Sequence, residues 1–394
     1  MIDVAMEKRR PAWAEVDLDV VGYDMRQIRS IIDPNTLVTV AVKADGYGHG
    51  AIMMAKEFLA NGADRLAVAV LDEAVELRQA GITAKILILG PTSGDRAEEL
   101  ITYGVDACVF HYEDALAFSQ EAVKQHRQVC VHIGVDSGMG RIGYRPSAEA
   151  IKEVKAINEL PNVVIEGIFT HFCIADQKDK TFTHQQYRTF MAFCDQLEQE
   201  GVHIPIRHCA NSAAIVDLPE YHCGMVRAGI MIYGVAPSAE VDITRLHLKQ
   251  AMTFKCKVTH VKTIESGDSV SYGRHFIAKG PTKIASLPIG YADGYSRSLT
   301  NKADVLVHGQ RVPQVGNICM DQCMIDVTSV PDVKVGDEVV LFGYQGDTLL
   351  PVEEIADKIG TITNEVFCMV GRRVPRVYVR GGKEVARVEY LQQH

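Results

Sequence analysis

The sequence predicts an α/β protein in which a (β/α)8 barrel of the TIM-barrel type is followed by a mostly-β C-terminal domain. Between residues 37 and 227, eight short apolar runs alternate with segments whose apolar residues recur at three- and four-residue spacing. This alternation predicts strands followed by helices, and eight such units close into a barrel. An open doubly wound sheet is the alternative, but no GxGxxG motif follows the first strand. The predicted barrel strands are Leu37–Val42, Leu66–Val70, Ile86–Leu89, Val105–Val109, Val129–Val135, Val163–Thr170, Ile204–Cys209 and Met225–Val226.

Beyond residues 235–238 the pattern changes to strands joined by turns, which predicts a β-rich second domain. Only Pro351–Ile359 is predicted there as a helix, and the early strand Ala12–Leu18 is expected to pair outside the barrel, with the second domain. The predicted domains are therefore residues 12–240 for the barrel and 241–394 for the β domain, with residues 1–18 associated with the latter. The predicted strands of the second domain are Met252–Ile264, Ile284–Pro288, Val305–Val307, Val312–Ile318, Cys323–Val327 and Val339–Phe342.

Composition and charge exclude several classes of protein. A chain of 394 residues with net charge −9 is long enough for two domains, and its acidic balance argues against nucleic acid or an anionic membrane as partner. The first ten residues lack the apolar stretch of a signal peptide, and no segment reaches the length of a membrane span. Ten scattered cysteines without a secretory leader indicate free thiols in the cytoplasm. Cys319 and Cys323, the closest pair, lack the further ligands of a metal site, so no metal is expected.

Lys43 ends the first predicted barrel strand, in the run AVKADGYGHG. Active sites of such barrels lie at the carboxyl ends of the strands, so Lys43 is expected to point into the barrel mouth. Gly46, Gly48 and Gly50 follow it closely and would allow a ligand to approach the backbone. The alternative is a surface lysine before a glycine-rich turn, because lysine is mostly exposed.

Two further segments are suited to an anion. Gly229 follows the last predicted barrel strand in the run MVRAGI, at the position where barrels commonly bind phosphate through backbone N–H groups. Asn211 and Ser212 open a predicted helix, whose N-terminus could hold an anion. Ser212 could equally serve only as a helix cap.

Arg141 lies among glycines at another predicted strand end, in the run DSGMGR. Its guanidinium there is suited to a bidentate contact with a substrate carboxylate, although it could instead pair with a surface carboxylate. His171 and His208 lie at the ends of neighbouring strands, and each taken alone is more often a packing residue. Tyr272 and Tyr291 lie beside glycines in the second domain, where a tyrosine in isolation is usually an amphipathic surface residue.

Taken together, these segments resemble the alanine racemase family, pyridoxal-phosphate enzymes formed by a barrel and a β domain. The resemblance runs from the run WAEVDL to the run RVPR, nearly the whole chain, and its order makes it specific. It implies interconversion of the L and D forms of alanine, with D-alanine supplied to peptidoglycan. The motifs stand in the family's order as VKADGYGHG, DSGMGRIG, GIFTHF, HCANSAA, MVRAGI, VSYG, PIGYADGY and ICMDQCMIDV.

The resemblance implies a two-base mechanism in which Lys43 and Tyr272 act on opposite faces of the substrate. Lys43 would also hold pyridoxal phosphate as a Schiff base. In the family the tyrosine comes from the partner subunit, which implies a head-to-tail homodimer with shared active sites. Arg227 would face the pyridine nitrogen and keep its own proton, so the nitrogen would stay unprotonated. The other cofactor residues implied are Tyr47, His171, His208, Asn211, Ser212, Gly229, Ile230 and Asn364, and the substrate-binding residues are Arg141, Tyr291, Met320 through its N–H, Asp321 and Asn364.

Two positions depart from the family's pattern. Many members carry a lysine, often carbamylated, where this chain has Gly134, so another group must orient Arg141. Asn364 stands where the family usually has a tyrosine. Serine racemases of this family, which resemble vancomycin-resistance enzymes, have asparagine there, and a site that hydrogen-bonds a substrate hydroxyl discriminates against analogues without it. Serine, alone or shared with alanine, is therefore the alternative substrate.

Two other functions fit parts of the sequence. A pyridoxal-phosphate decarboxylase on the same two-domain plan would need a carboxylate at the pyridine nitrogen and a cysteine acid from the β domain, whereas Arg227 and the SYG motif favour a racemase. A non-catalytic barrel that binds pyridoxal phosphate would keep Lys43 but needs no second domain. Tyr272 and the segment 319–321 in that domain favour catalysis.

Overall fold

The computed structural model describes residues 10–392, which divide into two compact units. The barrel unit comprises Val21–Gly46 and Ala51–Lys249. The β unit comprises the described residues up to Val20, the segment Tyr47–Gly50 and the chain from Gln250 onward. The prediction that residues 1–18 associate with the second domain concerns in part residues 1–9, which lie outside the described residues, as do residues 393–394.

Within the described residues, eight parallel strands form the barrel unit and confirm the predicted fold class. Counting from β1 (Ala12–Asp17), which belongs to the β unit, the barrel strands are β2 (Leu37–Ala41), β3 (Arg65–Val68), β4 (Ile86–Pro91), β5 (Asp106–Val109), β6 (Val129–Gly134), β7 (Val163–Phe169), β8 (Ile206–His208) and β9 (Met225–Ala228). Their order is β8-β7-β6-β5-β4-β3-β2-β9. The Gly224 N–H donates to the Arg207 carbonyl (3.1 Å) and the Arg227 N–H to the Ala210 carbonyl (2.9 Å). These bonds bring β9 beside β8, so the sheet is nearly closed.

Helices alternate with the barrel strands because their apolar residues form a stripe on one face. In Thr181–Gln199, for example, Phe190, Phe193 and Leu197 are buried. Each such side chain stabilises the fold by about 1.5–3 kcal/mol relative to an exposed one. The α-helices from Leu18 to Asp217 are Leu18–Ser30, Ala51–Ala60, Leu71–Gln79, Ala97–Tyr103, Tyr112–Lys124, Ala148–Asn158, Thr181–Gln199 and Ser212–Asp217.

The β unit contains two helices, Val352–Ile359 and Thr363–Met369, and short sheets. Its strands after β1 are β10 (Met252–Lys257), β11 (His260–Ile264), β12 (Ser269–Val270), β13 (Phe276–Ile277), β14 (Thr282–Leu287), β15 (Asp304–Val307), β16 (Gln310–Pro313), β17 (Cys323–Asp326), β18 (Glu338–Gln345), β19 (Thr348–Leu350), β20 (Arg376–Arg380) and β21 (Lys383–Val388). The largest sheet has the order β16-β15-β18-β10-β1-β20-β21, with β19 on β18. Strand β1 thus pairs outside the barrel, as predicted. It runs antiparallel to β10 and parallel to β20, both in the β unit.

Three local predictions for the β unit were wrong. The predicted strand Val312–Ile318 ends at Pro313, the last residue of β16. The predicted strand Met252–Ile264 breaks into β10 and β11, because Val258 N–H bonds to the Asp337 carbonyl and Thr259 N–H to the Ser286 carbonyl, both 2.9 Å. The chain therefore passes from one sheet to another at this point. The helix Thr363–Met369 was not predicted, because seven residues are too few to show a helical period clearly.

Two expectations about the chain as a whole can be compared with the described residues. Among residues 10–392, no helix combines the length and the apolar character that crossing a membrane requires. Within the same range no disulfide joins any of the ten cysteines.

Candidate active site

The backbone after Lys43 forms a left-handed turn. Ala44, Asp45, Gly46 and Tyr47 all have φ between 51° and 60°. For residues with a Cβ this conformation costs roughly 1–2 kcal/mol each, so other contacts must hold it. Strain of this kind is typical of functional sites, where the surrounding structure fixes one conformation. Lys43 therefore leaves strand β2 in a direction that the turn determines.

Three hydrogen bonds within the barrel unit hold this turn. The Ala44 N–H donates to Glu73 Oε1 (2.6 Å), and the Gly46 N–H donates to the Val42 carbonyl (2.8 Å). The Asp45 carboxylate accepts from the N–H of Ala51, the first residue of the next helix (2.8 Å). The turn is thus bonded on both sides, and these bonds fix the backbone direction in which the chain continues from Lys43.

Arg227 is buried on strand β9 and is the centre of a set that we call the Arg227 cluster, formed with Thr170, His171 and His208. Its NH1 lies 3.0 Å from His208 Nδ1 and 3.0 Å from the His208 carbonyl. Its NH2 donates to the Thr170 carbonyl (2.9 Å) and lies 3.2 Å from His171 Nδ1. The guanidinium is therefore oriented by acceptors on strand β8 and on the segment that follows strand β7.

Both histidines of the cluster are neutral. A guanidinium can only donate, so each Nδ1 must present its lone pair to Arg227. Burial, together with the charges of Arg227, Arg141 and Lys43, lowers the pKa of His171 to about 3. Burial and the charge of Arg227 likewise hold the pKa of His208 well below its usual value. Burial lowers the pKa of Arg227 itself to about 10, which leaves it charged at neutral pH.

Ser212 joins the two segments that the sequence indicates for an anion. Its Oγ accepts a hydrogen bond from the Gly229 N–H (2.9 Å), and both residues lie in the barrel unit. The Asn211 side chain caps the same helix by accepting from the Ala214 N–H (3.1 Å). Ile230 follows Gly229 and begins a short 3-10 turn. Because Ser212 Oγ accepts from Gly229, its own hydroxyl hydrogen remains for another acceptor.

Arg141 is exposed in the middle of the loop between strand β6 and the helix Ala148–Asn158. Asp136 holds this loop by accepting from the N–H groups of Gly138 and Gly140, both at 3.0 Å. At Gly134 an added Cβ would lie 2.3 Å from Phe110 Cε1, so the Phe110 ring occupies the space that any side chain there would need. A lysine is therefore sterically excluded at this position unless Phe110 moves.

In the β unit, Tyr272 projects from a strained turn formed by residues 271–274, here called the Tyr272 turn. Ser271, Gly273 and Arg274 have φ of 66°, 70° and 52°. Asn317 Nδ2 donates to the Tyr272 carbonyl (2.7 Å), and the Asn317 carbonyl accepts from Ser271 Oγ (2.6 Å). The Tyr272 side chain is 70% exposed.

Three further predicted site residues of the β unit lie close together. Met320 and Tyr291 are brought together by bonds from the Tyr291 N–H to the Cys319 carbonyl (3.1 Å) and from the Ala292 N–H to the Met320 carbonyl (3.0 Å). Asp321, beside Met320, pairs with Arg373 NH2 (2.8 Å). The side chains of Met320, Tyr291 and Asp321 are exposed, as is that of Tyr272.

Tyr47 and Asn364 complete the predicted set within the β unit. Tyr47 is buried, and this burial raises the pKa of its phenol to about 12. Asn364 is half-buried in the helix Thr363–Met369. The same helix fixes the glycine-rich segment, since a Cβ on Gly48 would lie 2.4 Å from the Phe367 carbonyl oxygen.

Sequence reasoning missed several residues that the structure places around the predicted ones. Glu73 holds the turn after Lys43, Asn317 holds the Tyr272 turn, and His132 and Glu166 extend the Arg227 cluster. A signal for the last two was present, because a histidine and a glutamate interrupt otherwise apolar barrel strands. Glu73 and Asn317 carry no such signal, since they act through backbone atoms distant in sequence.

Comparison with known proteins gives a consistent result over the whole length. The family model described as "Alanine racemase, N-terminal domain" matches residues 16–237, and that described as "Alanine racemase, C-terminal domain" matches residues 251–378. The alanine racemase of Clostridium tetani is 49% identical over 97% of this chain and 99% of that protein. The alanine racemase of Methanococcus maripaludis is 47% identical over 94% and 99%, respectively.

Solved structures show the same fold. The alanine racemase of Clostridium difficile 630 superposes with a TM-score of 0.94 at 41% identity, covering 98% of this chain and 100% of that one. The alanine racemase of Bacillus anthracis, solved with bound L-Ala-P, has a TM-score of 0.93 at 37% identity, with 98% and 99% covered.

Proposed function

Because the chain belongs to the alanine racemase family of isomerases, we propose that it interconverts L- and D-alanine with bound pyridoxal phosphate, using Lys43 and Tyr272 as two bases. The observation that carries this proposal is the Arg227 cluster. It provides a charged, buried and fully oriented donor at the mouth of the barrel, where Lys43 and Arg141 lie close enough to lower the pKa of His171.

The residues of the barrel unit fit pyridoxal phosphate. Lys43 supplies the amine that would hold the aldehyde, and the free hydroxyl hydrogen of Ser212 suits a phosphate oxygen. The Ile230 N–H and Asn211 are further proposed cofactor contacts of this unit, and the resemblance adds Tyr47 and Asn364 of the β unit. Arg227 would donate to the pyridine nitrogen. Its guanidinium is a very weak acid, so it would keep its proton rather than transfer it to the ring. When bound, the cofactor would make the substrate Cα proton removable by delocalising the resulting charge.

Two bases explain how a proton leaves one face of the substrate and arrives on the other. A single base cannot cross the substrate plane, whereas Lys43 Nζ on one face and Tyr272 Oη on the other can each remove or return a proton directly. Free lysine and tyrosine both titrate near 10, so each base needs a nearby cation that lowers its pKa in the assembled site. Desolvation would help only Lys43, because it lowers the pKa of an amine and raises that of a phenol. Arg141 and the Met320 N–H would hold the substrate carboxylate, Tyr291 would narrow the entrance, and Asp321 would lie near the second base.

We further propose that the active unit is a homodimer in which Tyr272 serves the Lys43 of a second copy. The Tyr272 phenol is 70% exposed in the single chain, so a second copy would have to supply the neighbouring groups that a base requires. The exposed Met320 and Tyr291 belong to the same unit, which supports a face completed by another copy. D-alanine for peptidoglycan is the role that follows from the family.

Alanine is the proposed substrate, because the relatives that match over the full chain are described as alanine racemases. The Bacillus anthracis alanine racemase was solved with bound L-Ala-P. Serine stays a prediction that rests on Asn364 alone.

The test is a subunit-mixing experiment on the purified protein loaded with pyridoxal phosphate. Lys43→Ala and Tyr272→Phe should each abolish most racemisation of L-alanine. When the two inactive variants are dissociated and mixed in equal amounts, half of the dimers should be mixed, and each mixed dimer has one intact shared site. About a quarter of wild-type activity should therefore return. No recovery after verified subunit exchange would contradict the shared site, and an inactive wild type would contradict the proposed function.

A further inference from the structure

We propose that His132 and Glu166, two residues of the barrel interior, are positioning residues that hold the Arg227 cluster in its working arrangement. This inference rests on the proposed function, since it assumes that the cluster faces the bound cofactor. Neither residue belongs to the set that the sequence motifs indicate. Both lie below the cluster on strands β6 and β7.

A continuous line of side-chain hydrogen bonds connects Arg227 to Glu166. Arg227 NH1 lies 3.0 Å from His208 Nδ1, and His208 Nε2 lies 2.9 Å from His132 Nδ1. His132 Nε2 then lies 3.3 Å from Glu166 Oε2. Both histidines have no exposed surface, so water cannot substitute for any of these partners.

Only one arrangement of protons satisfies this line. Arg227 has no acceptor, so His208 Nδ1 must accept and His208 Nε2 must carry the hydrogen. That hydrogen goes to His132 Nδ1, and the remaining hydrogen, on His132 Nε2, goes to the Glu166 carboxylate. The Arg227 cation fixes the order of the protons at one end of the line, and the Glu166 anion fixes it at the other end. Each histidine ring is thereby held against rotation, and with it the His208 contact that orients Arg227.

The far end of the line is anchored by charge. Glu166 pairs with Arg65 (2.5 Å) and Lys85 (2.5 Å), which lie at the beginnings of strands β3 and β4, the end of the barrel opposite to Lys43. Burial alone would raise the pKa of Glu166, but the hydrogen bonds from His132, Arg65 and Lys85 outweigh it and hold the pKa well below the usual range. Glu166 is therefore a permanent anion at neutral pH.

The acidic residues around Glu166 do not form a cation site. Ligand atoms of Asp106, Cys130 and Glu166 lie within 4.8 Å of one another. Lys85 Nζ, however, lies 3.6 Å from Asp106 and 2.5 Å from Glu166, so an ammonium already neutralises these carboxylates. The group is better explained as the charged end of the hydrogen-bonded line.

Gly167 on strand β7 leaves the space that the His132 ring occupies. An added Cβ on Gly167 would lie 2.2 Å from His132 Nδ1, so only glycine allows the His132 ring to lie beside strand β7 at this height. Strand β7 pairs with β6 with a register shift at the same place, between Val131 and His132.

The test compares two substitutions of His132 in the full-length protein loaded with pyridoxal phosphate. His132→Phe keeps a ring but removes both polar atoms, whereas His132→Gln keeps one acceptor and one donor. We expect His132→Phe to lower kcat for alanine about tenfold or more, with KM changed less than about twofold, because a buried donor and acceptor lose their partners. His132→Gln should recover most of this loss.

A second variant and a control separate positioning from folding. Glu166→Gln removes the charge at nearly constant shape and should lower kcat less than His132→Phe. Ser119→Ala is the matched control, since Ser119 is buried in the barrel unit and loses a hydrogen bond to the Pro161 carbonyl (2.6 Å) that is not part of the line. The proposal is overturned if His132→Phe lowers kcat no more than Ser119→Ala does.

A readout independent of activity is the imidazole N–H signal of His208 in protein labelled with ¹⁵N-histidine. The wild type should show a neutral ring with a slowly exchanging Nε2–H, assigned by its loss in His208→Gln. His132→Phe should make this proton exchange rapidly, and His132→Gln should restore slow exchange. An unchanged signal in His132→Phe overturns the proposal. If the wild type binds the cofactor but does not racemise alanine, the proposed function fails, and the signal alone then decides whether His132 holds the cluster.

Discussion

In the barrel unit Arg227 is buried and donates to carbonyls and imidazoles of its own unit, whereas in the β unit the Tyr272 side chain is 70% exposed. The guanidinium is oriented through its own side chain. Tyr272 is oriented through its backbone, by Asn317 and by a run of positive φ. The contrast separates a side chain that is held by buried hydrogen bonds from one that is held only through its backbone.

The strongest test of this contrast is Tyr272→Phe. Removing one positioned acid or base typically costs about 10²–10⁴ in rate, so we expect kcat to fall by roughly that factor. An exposed hydroxyl contributes little to folding, so the free energy of unfolding should change by less than about 0.5 kcal/mol. The rate is measured in both directions with L- and D-alanine, and the stability by urea unfolding. Turnover near the wild-type value would disprove the two-base mechanism.

The complementary change, Arg227→Leu, should affect stability as well as activity. It leaves His208 Nδ1 and the Thr170 carbonyl buried without their donor. We expect the free energy of unfolding to fall by about 3 kcal/mol. Arg207→Leu is the control, because Arg207 lies on β8 in partly exposed ion pairs with Asp195 and Glu198 and should cost less than about 1 kcal/mol. Equal costs for the two variants would show that the cluster is no better ordered than the surface.

The neutral histidines of the cluster predict a pH dependence of stability. The pKa of His171 is lowered from 6.5 to about 3 in the folded protein. Between these values the unfolded chain binds a proton that the folded chain does not, so stability is fully present above pH 6.5 and falls as the pH decreases. His171 should contribute about 1.4 kcal/mol per pH unit in this window. His208, whose pKa is also lowered, acts in the same direction. Urea unfolding of wild type and His171→Gln between pH 5 and 6.5 measures the difference in slope, and equal slopes would contradict a neutral His171.

The smallest expected effect is on substrate choice. Asn364 is half-buried in the helix Thr363–Met369. We expect kcat/KM for L-alanine to exceed that for L-serine both in wild type and in Asn364→Tyr, with the ratio of the two changed by less than about tenfold. Serine turnover that equals or exceeds alanine turnover in wild type and disappears in Asn364→Tyr would instead make Asn364 the residue that selects serine.

Much of the fold could be predicted because its signals are local. The apolar runs of the barrel strands and the glycines that follow Lys43 are visible within ten residues of sequence. The helix Thr363–Met369 was missed because it is short. The break between β10 and β11 was missed because it depends on Asp337 and Ser286, which are distant in sequence. The steric role of Phe110 beside Gly134 was likewise beyond prediction, since the two lie on different strands and only packing brings them together.

By itself the sequence determined the alternation of strands and helices in the barrel unit, the alanine racemase family and the place of Lys43 at the end of the first barrel strand. Only the tertiary structure decided which nitrogen of His208 accepts from Arg227 and that His132 and Glu166 continue the line. His132 and His208 lie 76 residues apart in the chain. A proton order depends on which groups are buried together and deprived of water, and that is a property of packing across strands rather than of any local pattern.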